Sequence, residues 1–323
     1  MNYKNVFIPL FTSSKMWKEV FFMTISELKK EFIFDCEVRE LSAKTTHNYD
    51  KQLKHFENFL RGTCGVESLE ELKPIHIKQF VAMLQKRGCK PSYTNDMLKA
   101  VKVLCGYAYR EGYTEELITK RVKNVKEPKV LIHTFNTNEI KSMIGYYKKD
   151  DYLSVRNKLI IMMLFDTGIR INELITMKPE QMQDNYFIIY GKGNKERVVP
   201  KSAAVSKAMS KYLYVRKNYF DFRDAQDYVF LSKNGKMLTE EAVRKFLVSV
   251  ANDVGVNPMV RVSPHTFRHT FAHQQLKNGL DLYSLSRLLG HESVSITQRY
   301  LEGIEDADIL TSARRTGVLL NLF

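Results

Sequence analysis

The chain has 323 residues, 44% hydrophobic and 27% charged, a balance that suits folded soluble domains and excludes wholesale disorder. Its formal net charge of +14 divides evenly between residues 1–130 and the remainder, which favours a polyanionic partner because each neutralised phosphate releases counterions; a merely basic protein is the plain alternative. Four scattered cysteines with no C-x-x-C pair argue against a zinc knuckle or a disulfide framework and for a reducing, cytoplasmic setting, and no apolar run reaches the ~18–20 residues of a membrane span.

Residues 1–22 carry short apolar clusters interrupted by Pro9, Lys15 and Lys18, and read as an N-terminal extension. Regular patterning starts at Met23. Thr24 to Glu27 has the form of a capping box leading into Leu28, Phe32 and Ile33. A second helix is expected from Ser42 to a stop at Gly62, with Tyr49, Leu53, Phe56 and Leu60 on one face. Pro74 opens a third, carrying Ile77, Phe80, Val81 and Leu84, and Gly88 closes it. Ser92 is the expected cap of a fourth, with Met97, Val101, Leu104 and Ala108 inward and Gly112 at its end. Residues 23–118 thus read as an all-α bundle.

Residues 119–136 are basic, contain Pro128 and lack helical periodicity, the pattern of an interdomain linker. A second domain, 137–304, opens with a helix from Thr137 through Tyr147 and an apolar helix from Leu153 to Phe165, ended by Gly168. Tyr186–Tyr190 and Glu196–Val199 around Gly191-Lys192-Gly193-Asn194 predict a β-hairpin. Helical patterning resumes at Ser202, with a short strand expected near Tyr228–Leu231, and Ser263-Pro264 caps a helix. The fold class expected is mainly α with a small β-sheet, and residues 305–323 form a tail ending in apolar residues.

Within the second domain, Arg170 starts a helix with Glu173 one turn on, and Lys192 lies on the hairpin turn. His265 and Arg268 share a face of one helical turn, and His291 is followed by Tyr300 nine residues later. Two arginines, a lysine, two histidines and a tyrosine without a carboxylate cluster suit phosphodiester transfer. Arginines fork onto the non-bridging oxygens, and a phenol with a pKa of about 10 is a workable nucleophile. Singly, each has a bland reading: Arg170 as the ion-pair partner of Glu173, Tyr300 as packing, Gly191-Lys192-Gly193 as a mere turn. His265, His269 and His273 are spaced as a metal stripe, but Arg268 stands among them and no glutamate base accompanies them, so no metal is expected. His269 reads instead as a buried hydrogen-bonding residue behind the site.

Taken in order, Thr167-Gly-Ile-Arg170-Ile-Asn-Glu173-Leu, Gly191-Lys192-Gly-Asn-Lys-Glu-Arg-Val-Val-Pro200, His265-Thr-Phe-Arg268-His269-Thr-Phe-Ala272, Leu288-Leu-Gly-His291 and Thr297-Gln-Arg-Tyr300 resemble the tyrosine recombinase/integrase family, specifically its compact Xer-like and phage- or transposon-integrase members. The resemblance runs from about Met23 to about Ala313. It implies a SAM-like N-terminal core-binding bundle and an α+β catalytic domain closing on DNA as a C-shaped clamp. Tyr300 would be the nucleophile, forming a 3′-phosphotyrosyl enzyme, with Arg170 and Arg268 on the scissile phosphate. Lys192 would be the general acid towards the 5′-oxygen, His265 would contact the phosphate and assist at the tyrosine, and His291 would donate to a non-bridging oxygen. Glu173 would orient Arg170. Neither metal nor other cofactor is implied.

The partners implied are double-stranded DNA and further copies of the chain, as a homo-tetramer on two synapsed sites, with an accessory or partner recombinase as an option. The tail would dock on a neighbouring protomer or on its own. DNA contacts in the bundle are expected at the starts of the second and fourth helices, at Lys44, Thr45, Lys90, Ser92, Tyr93 and Lys99, because helix N-termini and basic residues suit phosphates. Rival readings are a type IB topoisomerase, a non-catalytic DNA-binding protein on the same fold, and a metal-dependent nuclease. Between chromosome-dimer resolution and a mobile element, the extension and the divergent bundle lean towards the latter.

Overall fold

A computed structural model describes residues 23–128, 133–191 and 196–301, and these form two compact units, one before residue 130 and one after it. The N-terminal extension, the hairpin turn with Lys192 and the C-terminal tail lie outside the described residues.

The first unit is helical. Helix α1 (Ile25–Val38) starts on the capping box of Thr24 and Glu27, as its sequence predicts. Helix α2 (Ala43–Phe59), capped by Ser42, does not stop at Gly62. It continues as a π-helical turn, Leu60–Cys64, and ends at Gly65, whose φ of +66° is the left-handed conformation glycine adopts at least cost. Helix α3 spans Pro74–Lys86. Helix α4 (Pro91–Arg110) begins one residue before the expected cap: Pro91 takes the first helical position, where its fixed φ fits and its missing N–H costs nothing, and Lys90 precedes it as the cap residue. Phe32, Phe56, Phe80, Met97 and Leu104 fill the core between these helices. Tyr49, early in α2, and Tyr107, late in α4, both pack on Phe32, whereas Tyr93 and Met97 at the start of α4 line a cleft with Asn58, Phe59 and Thr63. Helices α2 and α4 are therefore antiparallel.

The stretch read as a linker is built into the bundle over its first part. The Asn95 amide accepts from the Val125 N–H at 2.8 Å and donates to the Val125 carbonyl at 2.9 Å, while Lys102 Nζ reaches Asn124 at 2.7 Å. One side chain thus satisfies both backbone groups of a residue that has no secondary structure of its own. Residues 129–132 lie outside the described residues, and Phe135 is already in the core of the second unit, its N–H donating to Thr270 Oγ1 at 3.1 Å.

In the second unit, α5 (Thr137–Gly145) leads to α6 (Tyr152–Thr167), which is buried nearly all round, as its continuous apolar run requires. The short α7 (Ile171–Ile175) follows, then the hairpin β1 (Tyr186–Tyr190) and β2 (Glu196–Pro200), antiparallel with Phe187 opposite Val199 and Ile189 opposite Arg197. Helices α8 (Ala203–Phe220), α9 (Glu240–Asp253), α10 (Pro264–Lys277), α11 (Leu282–Leu289) and α12 (Val294–Gln298) complete the described part. The strand expected near Tyr228–Leu231 is absent: only Leu231 forms a bridge, to Met237. The run is apolar because Val229, Phe230 and Leu231 are all buried, and its polar groups are met from outside any sheet. The Val229 N–H donates to the Met177 carbonyl, Tyr212 donates to the Val229 carbonyl, and Arg156 and Tyr152 both donate to the Leu231 carbonyl. Among the described residues no helix is long and apolar enough to cross a membrane.

Candidate active site

The site gathers residues from the α6–α7 junction, β2, the early part of α10 and the segments that follow α11 and α12. Helix α6 stops at Gly168, in the left-handed conformation with φ +58°, so the chain reverses and presents Arg170 as the residue before α7. There the Arg170 N–H donates to Glu173 Oε2 at 2.8 Å, Nη1 to Glu173 Oε1 at 2.9 Å, and Nη2 to the Gly290 carbonyl at 3.1 Å. Glu173 thus meets Arg170 on both carboxylate oxygens, while Arg170 is the more open of the pair. Its side chain is 39% exposed, so the guanidinium is fixed at one edge and open at the other.

Arg268, one turn into α10, is the buried counterpart. Nη1 donates to the Gly168 carbonyl at 2.8 Å, and Nη2 to the Leu289 carbonyl at 2.5 Å and to His291 Nε2 at 3.0 Å. Among the described residues no carboxylate pairs with it. Burial and the like charge of Arg170 lower its pKa to about 10, so it keeps its proton at neutral pH. A guanidinium only donates, so His291 Nε2 must be the acceptor, and the ring proton sits on Nδ1, 2.8 Å from Thr297 Oγ1. Burial, then Arg268 and the other nearby arginines, depress the His291 pKa to about 4, in keeping with a neutral ring. In this arrangement both ring nitrogens are engaged. Donation to a phosphate oxygen from Nε2 would need the other tautomer, with Thr297 donating to Nδ1.

Tyr300 lies two residues past α12, its ring 4% exposed beside Phe271, Ala272, Leu285 and Leu289. The His291 ring stacks over it at 6.2 Å and 12°, and His269 meets it edge-on at 4.9 Å and 69°. His269 therefore takes a ring-packing position against the tyrosine. Burial, followed by Arg299, holds its pKa down at about 4. His265 is exposed on the first turn of α10, and partial desolvation, Arg244 and Arg268 lower its pKa. Among the described residues no cluster of His, Cys, Asp or Glu could hold a metal ion. Lys192 lies outside the described residues, although β2, which follows its turn, reaches the site through Arg197.

Arg197 and Thr297 are the participants that sequence reasoning passed over. Arg197 forks onto both Glu173 oxygens at 2.8 and 2.6 Å and donates from Nε to the Leu288 carbonyl at 2.9 Å. Burial alone would raise the Glu173 pKa, but the Arg197 fork and the Arg170 bonds outweigh it and hold the carboxylate below its usual range. A signal was available. Strand alternation puts Arg197 on the same inward face as Val199, and an arginine there needs a buried partner.

The bundle candidates do not converge. Lys44 and Thr45 lie on the first turn of α2, Thr45 engaged at 2.8 Å with the capping Ser42, while Lys90, Ser92, Tyr93 and Lys99 lie towards the start of α4. Because α2 and α4 are antiparallel, these groups stand at opposite ends of the pair. All but Thr45 are exposed.

Residues 133–305 match the phage integrase family, and residues 34–112 match its N-terminal SAM-like domain. Among curated proteins, the tyrosine recombinase XerD of Halalkalibacterium halodurans is 27% identical over 280 residues, covering 86% of this chain and 93% of that protein. Two solved structures share the fold at a TM-score of 0.71. One is the XerH recombinase bound to a palindromic difH substrate after cleavage, 20% identical, covering 90% of this chain and 84% of that one. The other is the Tn1549 transposon integrase with transposon right-end DNA, 15% identical, covering 91% of this chain and 99% of that one.

Proposed function

This chain belongs to the phage integrase family, and on that premise we propose that it is a tyrosine-type site-specific recombinase, which cuts and rejoins double-stranded DNA through a 3′-phosphotyrosyl intermediate. The observation that carries the reading is one contact network. Arg268 bonds His291, the His291 ring stacks on Tyr300, and Arg170 reaches the carbonyl of Gly290, next to His291. Two cations, a neutral imidazole and a phenol thus share one corner of the fold, a set suited to phosphoryl transfer.

In the proposed reaction the Tyr300 oxygen attacks the scissile phosphorus. A bond from that oxygen to phosphorus forms, the bond to the 5′-oxygen breaks, and the negative charge on the non-bridging oxygens is met by Arg170 and Arg268. The tyrosine proton leaves with the help of His265, and Lys192 supplies a proton to the departing 5′-oxygen. Reversal by a different 5′-hydroxyl rejoins the strands, and the covalent link conserves the bond energy. His291 donates to the phosphate after its tautomer switches. Residues 23–118 and 137–304 act as core-binding and catalytic domains, with 119–136 between them. Lys44, Thr45, Lys90, Ser92, Tyr93 and Lys99 supply backbone contacts at two separated points on the duplex. By family resemblance the working assembly is a homo-tetramer on two synapsed sites, in the cytoplasm on the nucleoid, serving integration, excision or resolution of a mobile element, with an accessory recombinase as an optional partner.

Covalent trapping tests the reading. Random-sequence duplexes, nicked so that the released 5′ fragment diffuses away, are incubated with the protein in EDTA, and denaturant-stable adducts are recovered and sequenced. An adduct from the wild type and none from Tyr300→Phe is the expected result. No adduct from a pool that the protein binds would make it a binding protein, and cleavage that EDTA abolishes would make it a metallonuclease.

A further inference from the structure

Arg197 belongs to none of the roles above, yet among the described residues none is tied to more of the site. Its side chain is 8% exposed, as is that of Glu173. It takes both Glu173 oxygens, donates to the Leu288 carbonyl two residues before Gly290, and packs so closely on Gly290 that a Cβ there would lie 2.8 Å from its Cδ. Arg170 receives what is left of the same carboxylate: one bond from Nη1 to Oε1, and one from its backbone N–H to Oε2. One buried carboxylate therefore serves two guanidinium groups, with the fork on Arg197.

The charge count gives this a consequence. Arg170, Arg197 and Glu173 together carry +1, and the exposed share of it is on Arg170, 39% accessible against 8% for Arg197. Remove Arg197 and the remaining pair is neutral. A carboxylate that is buried with one cationic neighbour is strongly driven to engage it on both oxygens. Arg170 would then turn its fork inward, away from the Gly290 carbonyl and from any phosphate.

We propose that Arg197 is a positioning residue for strand cleavage: it occupies the Glu173 carboxylate so that Arg170 stays available to the scissile phosphate. The proposal rests on the recombinase reading. Arg197 also joins β2 to the end of α11, from which His291 follows, so the same guanidinium ties that strand to the phosphate-binding corner.

The test is single-turnover adduct formation on a nicked duplex recovered in the trapping experiment, at saturating protein, with DNA affinity and thermal melting measured in parallel. The variants are Arg197→Gln, Arg197→Lys, Glu173→Gln and the double variant Arg197→Gln/Glu173→Gln. Arg197→Gln is expected to form adduct about 10–100-fold more slowly. Its DNA affinity, set by many other phosphate contacts, should stay within about threefold. The double variant, in which no carboxylate competes for Arg170, should regain about tenfold of that rate. Arg197→Lys, a point charge without a fork, should lie between. The proposal is overturned if Arg197→Gln cleaves at the wild-type rate, or if the double variant recovers its melting temperature but not its rate. The latter comparison separates positioning from mere stability, and where Arg197→Gln does not fold, an Arg197→Lys protein that cleaves at the wild-type rate overturns the proposal instead. A wild-type protein without adduct would instead sink the recombinase reading, and this inference with it.

Discussion

Replacing Gly168 with alanine strikes the point where α6 hands the chain to Arg170. Two costs add. An L-residue at φ +58° is held in the left-handed region at about 1–2 kcal/mol. Its Cβ would also lie 2.4 Å from Phe271 Cδ1 and 3.0 Å from Cγ and Cε1. Phe271 is 3% exposed and packed beside Tyr300, so its ring has little room to give, and such overpacking costs about 1–3 kcal/mol. The sum is about 2–5 kcal/mol, which for a unit of this size lowers Tm by about 4–20 °C at ~2–4 °C per kcal/mol. Function should fall further than stability alone predicts. The Gly168 carbonyl accepts from Arg268 Nη1 at 2.8 Å, and Phe271 lies on the same helix as Arg268. The assay is thermal melting followed by adduct formation well below the melting point. Gly112→Ala serves as the control, since its φ is +79° but nothing lies within 4 Å of the added Cβ, leaving only the conformational cost. A Gly168→Ala protein that melts within about 1 °C of the wild type would refute the steric argument, because even the backbone term exceeds that.

Thr297→Val removes the acceptor of the His291 Nδ1 proton from a side chain that is fully buried, leaving a polar group unmet at a cost of about 1–3 kcal/mol. Adduct formation is expected to slow about tenfold with DNA affinity unchanged, and Thr297→Ser, which keeps the hydroxyl, should stay near the wild-type rate. Equal rates for the valine and serine variants would show that the hydroxyl does not govern the ring. A pH effect follows from His269 and His291, both held at about 4. The unfolded chain protonates each near pH ~6.5 while the folded chain does not, so their contribution is complete above that pH and is lost as pH falls towards about 4. Urea midpoints at pH 7.5, 6.0 and 5.0 should therefore decline, and His291→Gln should shallow the decline by one proton. A flat wild-type profile across that window would contradict the buried neutral state of both rings.

Much of this protein can be read from its sequence alone, because the relevant signals are local. The capping box at Thr24, the glycine stops, proline at the first turn of α3 and α10, and the alternating hairpin strands each depend on a few neighbouring residues. The catalytic candidates are legible for a related reason: each stands in a short local motif, and five such motifs follow one another in order. Where neighbours do not decide, reading failed. The apolar run at Val229–Leu231 has the composition of a strand but is a buried plug, since periodicity cannot tell burial on all sides from pairing in a sheet. The end of α2 passes Gly62 as a π-helical turn and stops at Gly65, where the chain turns left-handed, a choice between two nearby glycines that local spacing does not make. Tertiary structure alone decides that Arg197 and not Arg170 holds the Glu173 fork, that Arg268 rests on two carbonyls and an imidazole, and that the His291 proton lies on Nδ1. Each depends on groups brought together from up to 100 residues apart, as with Arg268 and Gly168, and hydrogen-bond partners at that separation are set by how the helices pack. The kinds of residue proposed for the chemistry are thus written in the chain, while their protonation and the direction of their charge are set only when it folds.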